Sequence, residues 1–400
     1  MPTILVVAPG PLCRNPRPLK EAIALAAAGY DVTALTGFIS DEHIEIDRAL
    51  LRESTVKLVV AKPPRRVRYF WQRARVWVAR NAVARFGIPS AWALGAHASL
   101  FEAVQARPAD LTIVHSEIPL WIGHRLLTTG RRIAADIEDW HSEDLLPEAR
   151  RSRPLALLRK IESSLLQRAA YCTTTSASLA AALAARYGGR TPAVLPNVFP
   201  LQPVPLARPS RAPELVWFSQ TIGPGRGLEE FLRHWAKLPA SGGRLTLLGQ
   251  IAPSYAAQLR AILPPDCQSR LSFHEPVLPS ALPTKLAEFD VGLALEHNEP
   301  ASRNLTITNK IFQYLNAGLA VIATPTAGQI EVMKTASDAG LLLDFNDPDA
   351  HTTLHPFLQN STAIGSAQIA ARRAAEQHYC WERHAPTLLN LVEQALRSPA

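Results

Sequence analysis

Two doubly wound, Rossmann-like parallel-sheet α/β domains facing a cleft are the fold class this sequence predicts, on three observations. Apolar runs of strand length alternate with helical stretches along almost the whole chain. A proline-dense stretch breaks the alternation near the middle, where proline denies helix and central strand alike. The 400 residues are too many for one compact core.

The first domain, 1–198, opens on Ile4–Ala8, an unbroken apolar run that reads as a buried strand, and Pro18–Ala28 follows as a helix. Val32–Thr36 and Val56–Val60 are the next strands. Leu111–Val114 leads into the helix Trp121–Thr128, and Arg132–Ala135 leads through a polar loop into the long helix Pro154–Ala170. Cys172–Thr175 then precedes Ser178–Arg186. The composition break at 195–213 places a linker at 199–213. The second domain, 214–378, repeats the alternation with Leu215–Ser219, Arg244–Leu248, Leu271–Phe273, Val291–Leu295, Leu319–Ala323 and Leu341–Leu343. The end reads as helical from about residue 363 to 397 with a break near Tyr379–Glu382, which sets off a last segment, 379–400. Two such domains on a hinge imply a cleft, the default place for a small-molecule ligand.

A chain that is 47% hydrophobic and 19% charged can bury large cores, which excludes disorder. No apolar run reaches the roughly 18 residues that span a bilayer. The chain starts directly on a strand, so no signal peptide is expected. The four dispersed cysteines fit a reducing cytoplasm and argue against a disulfide framework and structural zinc. The net charge of +8 favours anionic partners. Residues 62–85 interleave Tyr69, Phe70, Trp71 and Trp77 with seven arginines. This is the pattern of a segment lying on an anionic membrane surface. The competing reading is a solvated helix whose aromatic side packs on the domain core. The basic residues line no recognition motif for nucleic acid, so none is expected as a partner.

The most informative stretch is Asn304 to Gly328, NLTITNKIFQYLNAGLAVIATPTAG. Lys310 stands near the start of a short helix that ends at Ala317-Gly318, and an apolar strand then runs into a Thr-Pro-Thr-Ala-Gly loop. A lysine beside a helix N-terminus, at the carboxyl edge of a parallel sheet, is a site for a phosphate-bearing ligand. The other reading is a plain crossover with an exposed lysine. A second anion site follows Leu215–Ser219, where Gly223, Gly225 and Gly227 allow close backbone approach and Arg226 precedes a helix. Its spacing is neither GxGxxG nor a Walker loop, and it could be only a turn. Gly249 and the loop from His274 fall on the same sheet edge. In the first domain, Arg14 and Arg17 precede a helix as an anchor for a charged acceptor, and His115-Ser116-Glu117 ends a strand. The loop DIEDWHSED carries Asp136, Glu138, Asp139, His141, Glu143 and Asp144. Asp139 could instead cap a helix, and these carboxylates stand at no spacing that marks a metal site.

At this point the chain resembles the glycosyltransferases of the GT-B fold, most of all the large family 4 of retaining enzymes, over nearly its whole length. Ile161 to Val198 resembles the stretch that leads out of the family's first domain. GRGLEEFL resembles the donor loop "KG...ll", and NKIFQYLNAGLAVIAT resembles "K..EYla.G.PVIat". YCWERHAPTLLNLVEQAL resembles the "ysWe" helix pair, which implies that 379–400 is a C-terminal helix crossing back to the first domain. The resemblance implies a nucleotide-sugar donor bound by the second domain and a glycan or lipid-linked acceptor bound by the first. The nucleotide-sugar is the substrate and no cofactor is implied. Arg226 and Lys310 would meet the diphosphate, His115 the transferred sugar, and Asp139 and His141 the acceptor.

Two departures stand out. Gln313 replaces the glutamate that holds the nucleotide ribose in the family, and Leu305 replaces the one before it, leaving Glu296 or Asn304 as substitutes toward the sugar. Gln220 stands where the family has an arginine after the first strand. Gly223, Gly225, Gly249 and Gln220 complete the expected donor site. The implied reaction is transfer with retention and without metal, in cell-surface polysaccharide or glycolipid synthesis on the inner, cytoplasmic face of the membrane. The competing readings are a sugar-nucleotide epimerase of the same fold and a catalytically degenerate partner protein.

Overall fold

Parallel strands buried on both faces account for the apolar runs, and the computed structural model shows two such sheets, describing residues 1–61, 66–203 and 212–398. The first unit comprises Met1–Leu195, Pro300–Ser302 and His384–Ala400. Its seven strands are β1 Thr3–Ala8, β2 Asp31–Thr36, β3 Lys57–Val60, β4 Leu111–His115, β5 Ile133–Asp136, β6 Cys172–Thr174 and β7 Ala193–Val194, in the spatial order 3-2-1-4-5-6-7. The second unit comprises Pro196–Glu299 and Arg303–Arg383. Its six strands are β8 Glu214–Ile222, β9 Arg244–Ile251, β10 Leu271–His274, β11 Val291–Ala294, β12 Ala320–Ala323 and β13 Gly340–Leu342, in the order 10-9-8-11-12-13. Every neighbouring pair is parallel. In both sheets the winding reverses beside the first strand, between β1 and β4 and between β8 and β11. Such a reversal opens a crevice at the carboxyl ends of the two strands.

The expected strands are all present. The helix after β4 starts earlier than its apolar pattern suggests, running Glu117–Leu126, because Ser116 turns the chain at φ +66° directly after β4. The C-terminal break is real: helices span Ser361–Gln377 and Trp381–Arg397, and Cys380 between them bridges to Phe199. Linker residues 204–211 and basic residues 62–65 lie outside the described residues.

The helix Arg66–Phe86 bears on the reading in which its aromatic side packs on the domain core. Its inward face is Gln72, Ala79 and Val83, the last two packed with Ala93 and Trp92. Four of its aromatics do not pack on the core: Phe70 and Trp77 are each 68% exposed, and Trp71 and Phe86, like Val78, also face solvent. Arg80 Nε donates to the Ala93 carbonyl (3.1 Å), and the Arg75 guanidinium lies over the Trp92 ring (5.4 Å), so these two arginine head groups tie the helix to its unit. Among the described residues no helix is long and apolar enough to cross a membrane.

The helix that carries Lys310, Asn309–Ala317, is seated on β11 by one small residue. Tyr314 is fully buried, donates to the Leu293 carbonyl (3.2 Å) and meets Phe218 edge-on. A Cβ on Gly292 would fall 2.2 Å from the Tyr314 ring. Gly292→Ala is therefore expected to overpack this contact and destabilise the fold by about 1–3 kcal/mol, read as a lowered Tm.

Candidate functional site

The loop after β8 is built for close approach. Gly225 and Gly227 adopt φ +73° and +76°, a left-handed region that other residues enter only with strain, and Gly227 caps the helix Leu228–Trp235. The Gly227 N–H donates to His297 Nε2 (3.2 Å), and Arg303 Nη1 donates to the Gly225 carbonyl (2.8 Å), so the loop is fastened from two sides. Arg226, between these glycines, keeps 39% of its side chain exposed.

Across the switch point, Glu296 follows β11. Its N–H donates to Thr324 Oγ1 (2.9 Å), and that hydroxyl donates to the Glu296 carbonyl (2.7 Å). The carboxylate is 1% exposed and gathers three cations. Lys310 Nζ donates to Oε1 at 2.8 Å, Arg226 Nη1 lies 3.4 Å from Oε2, and Arg303 Nε lies 3.9 Å from Oε2. Burial pushes this carboxyl up, but Lys310 and then Arg226 outweigh it and hold the pKa below the usual range. Lys310 is itself buried, with its ammonium 5.3 Å from the Trp217 ring centre. Three cations on one carboxylate leave two positive charges in excess at the crevice.

The structure thus brings Arg226, Lys310 and Glu296 together, as the sequence reading grouped them, but with a different part for Glu296. Both of its oxygens face cations, so it is no simple substitute for a sugar-binding glutamate. Asn304 is also committed, its Oδ1 accepting from Ala327 N (2.9 Å) at the start of the helix Ala327–Thr335. Gly249 serves packing: at φ +151°, a Cβ there would meet the Ser219 carbonyl at 2.2 Å, beside the β8–β9 irregularity. Gly223 has open space around it, and Gln220 is exposed on β8. Gln313 lies one turn beyond Lys310, is 6% exposed, and its Oε1 finds no hydrogen-bond partner among the described residues. Arg303, His297 and Thr324 escaped the sequence reading because nothing local marks them.

In the first unit the expected residues form a buried brace across the ends of β1, β4 and β5. Arg17 Nε and Nη2 donate to the two oxygens of Asp136 (2.7 and 2.5 Å), and Nη1 donates to the Leu195 carbonyl (2.7 Å). His115 Nδ1 meets Asp136 Oδ2 at 3.1 Å and Nε2 lies 3.3 Å from Glu21 Oε2, while Thr173 Oγ1 donates to Asp136 Oδ1 (2.8 Å). Arg17 is thereby inside the unit, its guanidinium spent on internal partners, rather than held out as an anchor. Arg14 is exposed and Asp139 half-buried. His141 is buried, which pushes its pKa down to about 4 and leaves it neutral at pH 7. Its loop is held where Glu162 accepts from Ser142 N (2.9 Å) and Tyr187 OH (2.7 Å). Glu21, His115 and Asp136 offer donor atoms within 4.8 Å of one another, a grouping no sequence spacing showed, yet Arg17 already sits on both Asp136 oxygens.

Burial alone would push the His115 imidazolium down, but Glu21 and Asp136 outweigh it and raise the pKa to about 10. Since the folded value lies above the unfolded one, the stabilisation is complete below about 6.5 and is lost as pH rises through about 10. The stability deficit of His115→Asn, measured by urea unfolding, is therefore expected to shrink between pH 6.5 and pH 10.

Two open parallel sheets, each reversing its winding beside its first strand, are the architecture of the GT-B fold. The family model described as "Glycosyl transferase 4-like domain" matches residues 17–198, and "Glycosyl transferases group 1" matches residues 212–353. The chain belongs to this glycosyltransferase family. No curated protein sequence matches it. Among solved structures, sucrose-phosphate synthase from Thermosynechococcus elongatus is similar with a TM-score of 0.68 at 15% identity, over 98% of this chain and 99% of that one. Anabaena HepE in complex with UDP and glucose gives 0.66 at 15% identity over 100% of both chains. TarM gives 0.71 at 8% identity over 100% and 99%. At these identities the likeness shows the fold.

Proposed function

We propose that this glycosyltransferase takes its sugar from a nucleotide-diphospho-sugar held by the second unit, with acceptor groups supplied by the first. The convergence of Lys310, Arg226 and Arg303 on Glu296 carries this reading. As the bond to the anomeric carbon breaks, negative charge grows on the leaving diphosphate, and cations already in place stabilise it without reorganising. Gln313, at the position the family resemblance assigns to the ribose, carries a buried Oε1 without a partner among the described residues, and this supports the reading. HepE, solved with UDP and with UDP-glucose, supports a UDP-sugar as the first donor to try. Transfer with retention and without metal, the leaving phosphate helping to take the acceptor proton, belongs to the same reading and rests on the family resemblance.

The acceptor is proposed to be glycan or lipid-linked, met at an anionic membrane surface during cell-surface polysaccharide or glycolipid synthesis. Residues 54–101 contain no Asp or Glu and nine Lys or Arg, more than the net +8 of the whole chain. The exposed Phe70, Trp71 and Trp77 lie in that stretch, which is the combination that binds anionic lipid. Co-sedimentation with anionic but not zwitterionic vesicles, weakened by Trp71→Ser with Trp77→Ser, is the expected result.

Thermal shift against UDP-, GDP- and dTDP-sugars, followed by nucleotide release with and without acceptor lipid, tests the activity. Release only with acceptor supports transfer. Release or isomerisation without acceptor overturns it in favour of an epimerase-like activity. Binding without turnover overturns it in favour of the degenerate protein that Leu305 and Gln313 would fit.

A further inference from the structure

Glu296 is out of place in a site for a diphosphate. A buried carboxylate beside the cations repels the ligand those cations are meant to hold. It is nevertheless built in: two hydrogen bonds with Thr324 fix the Glu296 main chain, and Lys310 at 2.8 Å holds the carboxylate itself. The half-exposed Arg226 makes a longer contact at 3.4 Å, and Arg303 stands at 3.9 Å with its other nitrogen on the Gly225 carbonyl. The carboxylate thus grips the deep cation and holds the two outer ones loosely.

We infer that Glu296 is a built-in counter-anion of the donor site. It pairs the cations while the site is empty and competes with the diphosphate for them when it is filled, so that the nucleoside diphosphate product is held weakly and released quickly. The inference rests on the donor-site reading above and adds to it a limit on product affinity. A purely structural Glu296 makes the opposite prediction. Without its charge the cations would be disordered, and diphosphate binding would weaken.

The test is calorimetric titration of the wild-type chain and of Glu296→Gln with UDP, GDP and inorganic pyrophosphate. The amide keeps the shape and an oxygen for Lys310 and removes only the charge. Glu296→Gln is expected to bind the diphosphates roughly tenfold more tightly, with steeper salt dependence. If that variant does not fold, the paired replacement Lys310→Met with Glu296→Gln removes one charge of each sign. It is expected to bind within a few-fold of wild type, whereas Lys310→Met alone binds far more weakly. Binding by wild type with equal or weaker binding by folded Glu296→Gln overturns the counter-anion, as does a paired variant as weak as Lys310→Met. Failure of the wild-type chain to bind all three ligands overturns the donor-site reading itself, and this inference with it.

Discussion

Asp136→Ala is expected to destabilise the first unit by about 3–5 kcal/mol, because it strands a buried guanidinium. Arg17 gives Asp136 two charge-assisted hydrogen bonds and is almost wholly buried, so the guanidinium loses both where bulk solvent does not reach it. His115 loses its Nδ1 partner and Thr173 its acceptor in the same substitution. Burial pushes the Asp136 carboxyl up, but Arg17 and His115 outweigh it and hold the pKa well below the usual carboxylate range. A depressed carboxylate gives stability that is present above its unfolded pKa near 3.8 and is lost as pH falls through the folded value, so the full deficit is expected at neutral pH. Urea unfolding at pH 7 checks this, and a loss under about 1 kcal/mol would contradict a stabilising brace.

Lys310→Ala and Arg226→Ala are each expected to remove about 2–4 kcal/mol of transition-state stabilisation, a fall in kcat/KM of roughly 30- to 1000-fold. Their stability effects should differ. Lys310 is buried against Glu296 and Trp217, so its loss is also expected to lower the Tm. Arg226 is half-exposed, so its loss should leave the Tm close to wild type. Steady-state kinetics with a nucleotide-sugar, paired with melting curves, separates the two effects. Near-normal turnover in both variants would remove these residues from the site.

The fold was legible because its signals are local. Apolar runs mark strands buried on both faces, and glycines mark the loop after β8, where two positive φ angles require them. The strand-end positions of His115, Asp136, Arg226 and Glu296 follow from counting elements, since a parallel sheet places every βα loop at one edge. The helix 66–86 was legible as basic and aromatic, but whether its rings turn inward depends on Ala79 and Val83 finding Ala93 and Trp92.

By itself, the sequence determined a two-sheet α/β glycosyltransferase of GT-B type and the loops at the carboxyl edges of its sheets. The tertiary structure decided what the charged residues in those loops do. Arg226 meets Glu296 across 70 residues and Arg17 meets Asp136 across 119. Which cation meets which carboxylate is set by the order in which the strands lie, not by spacing along the chain. That is why Arg17, a loop arginine before a helix in the sequence, is a buried brace in the fold. It is also why Glu296, a spare carboxylate in the sequence, is the centre of the cation cluster.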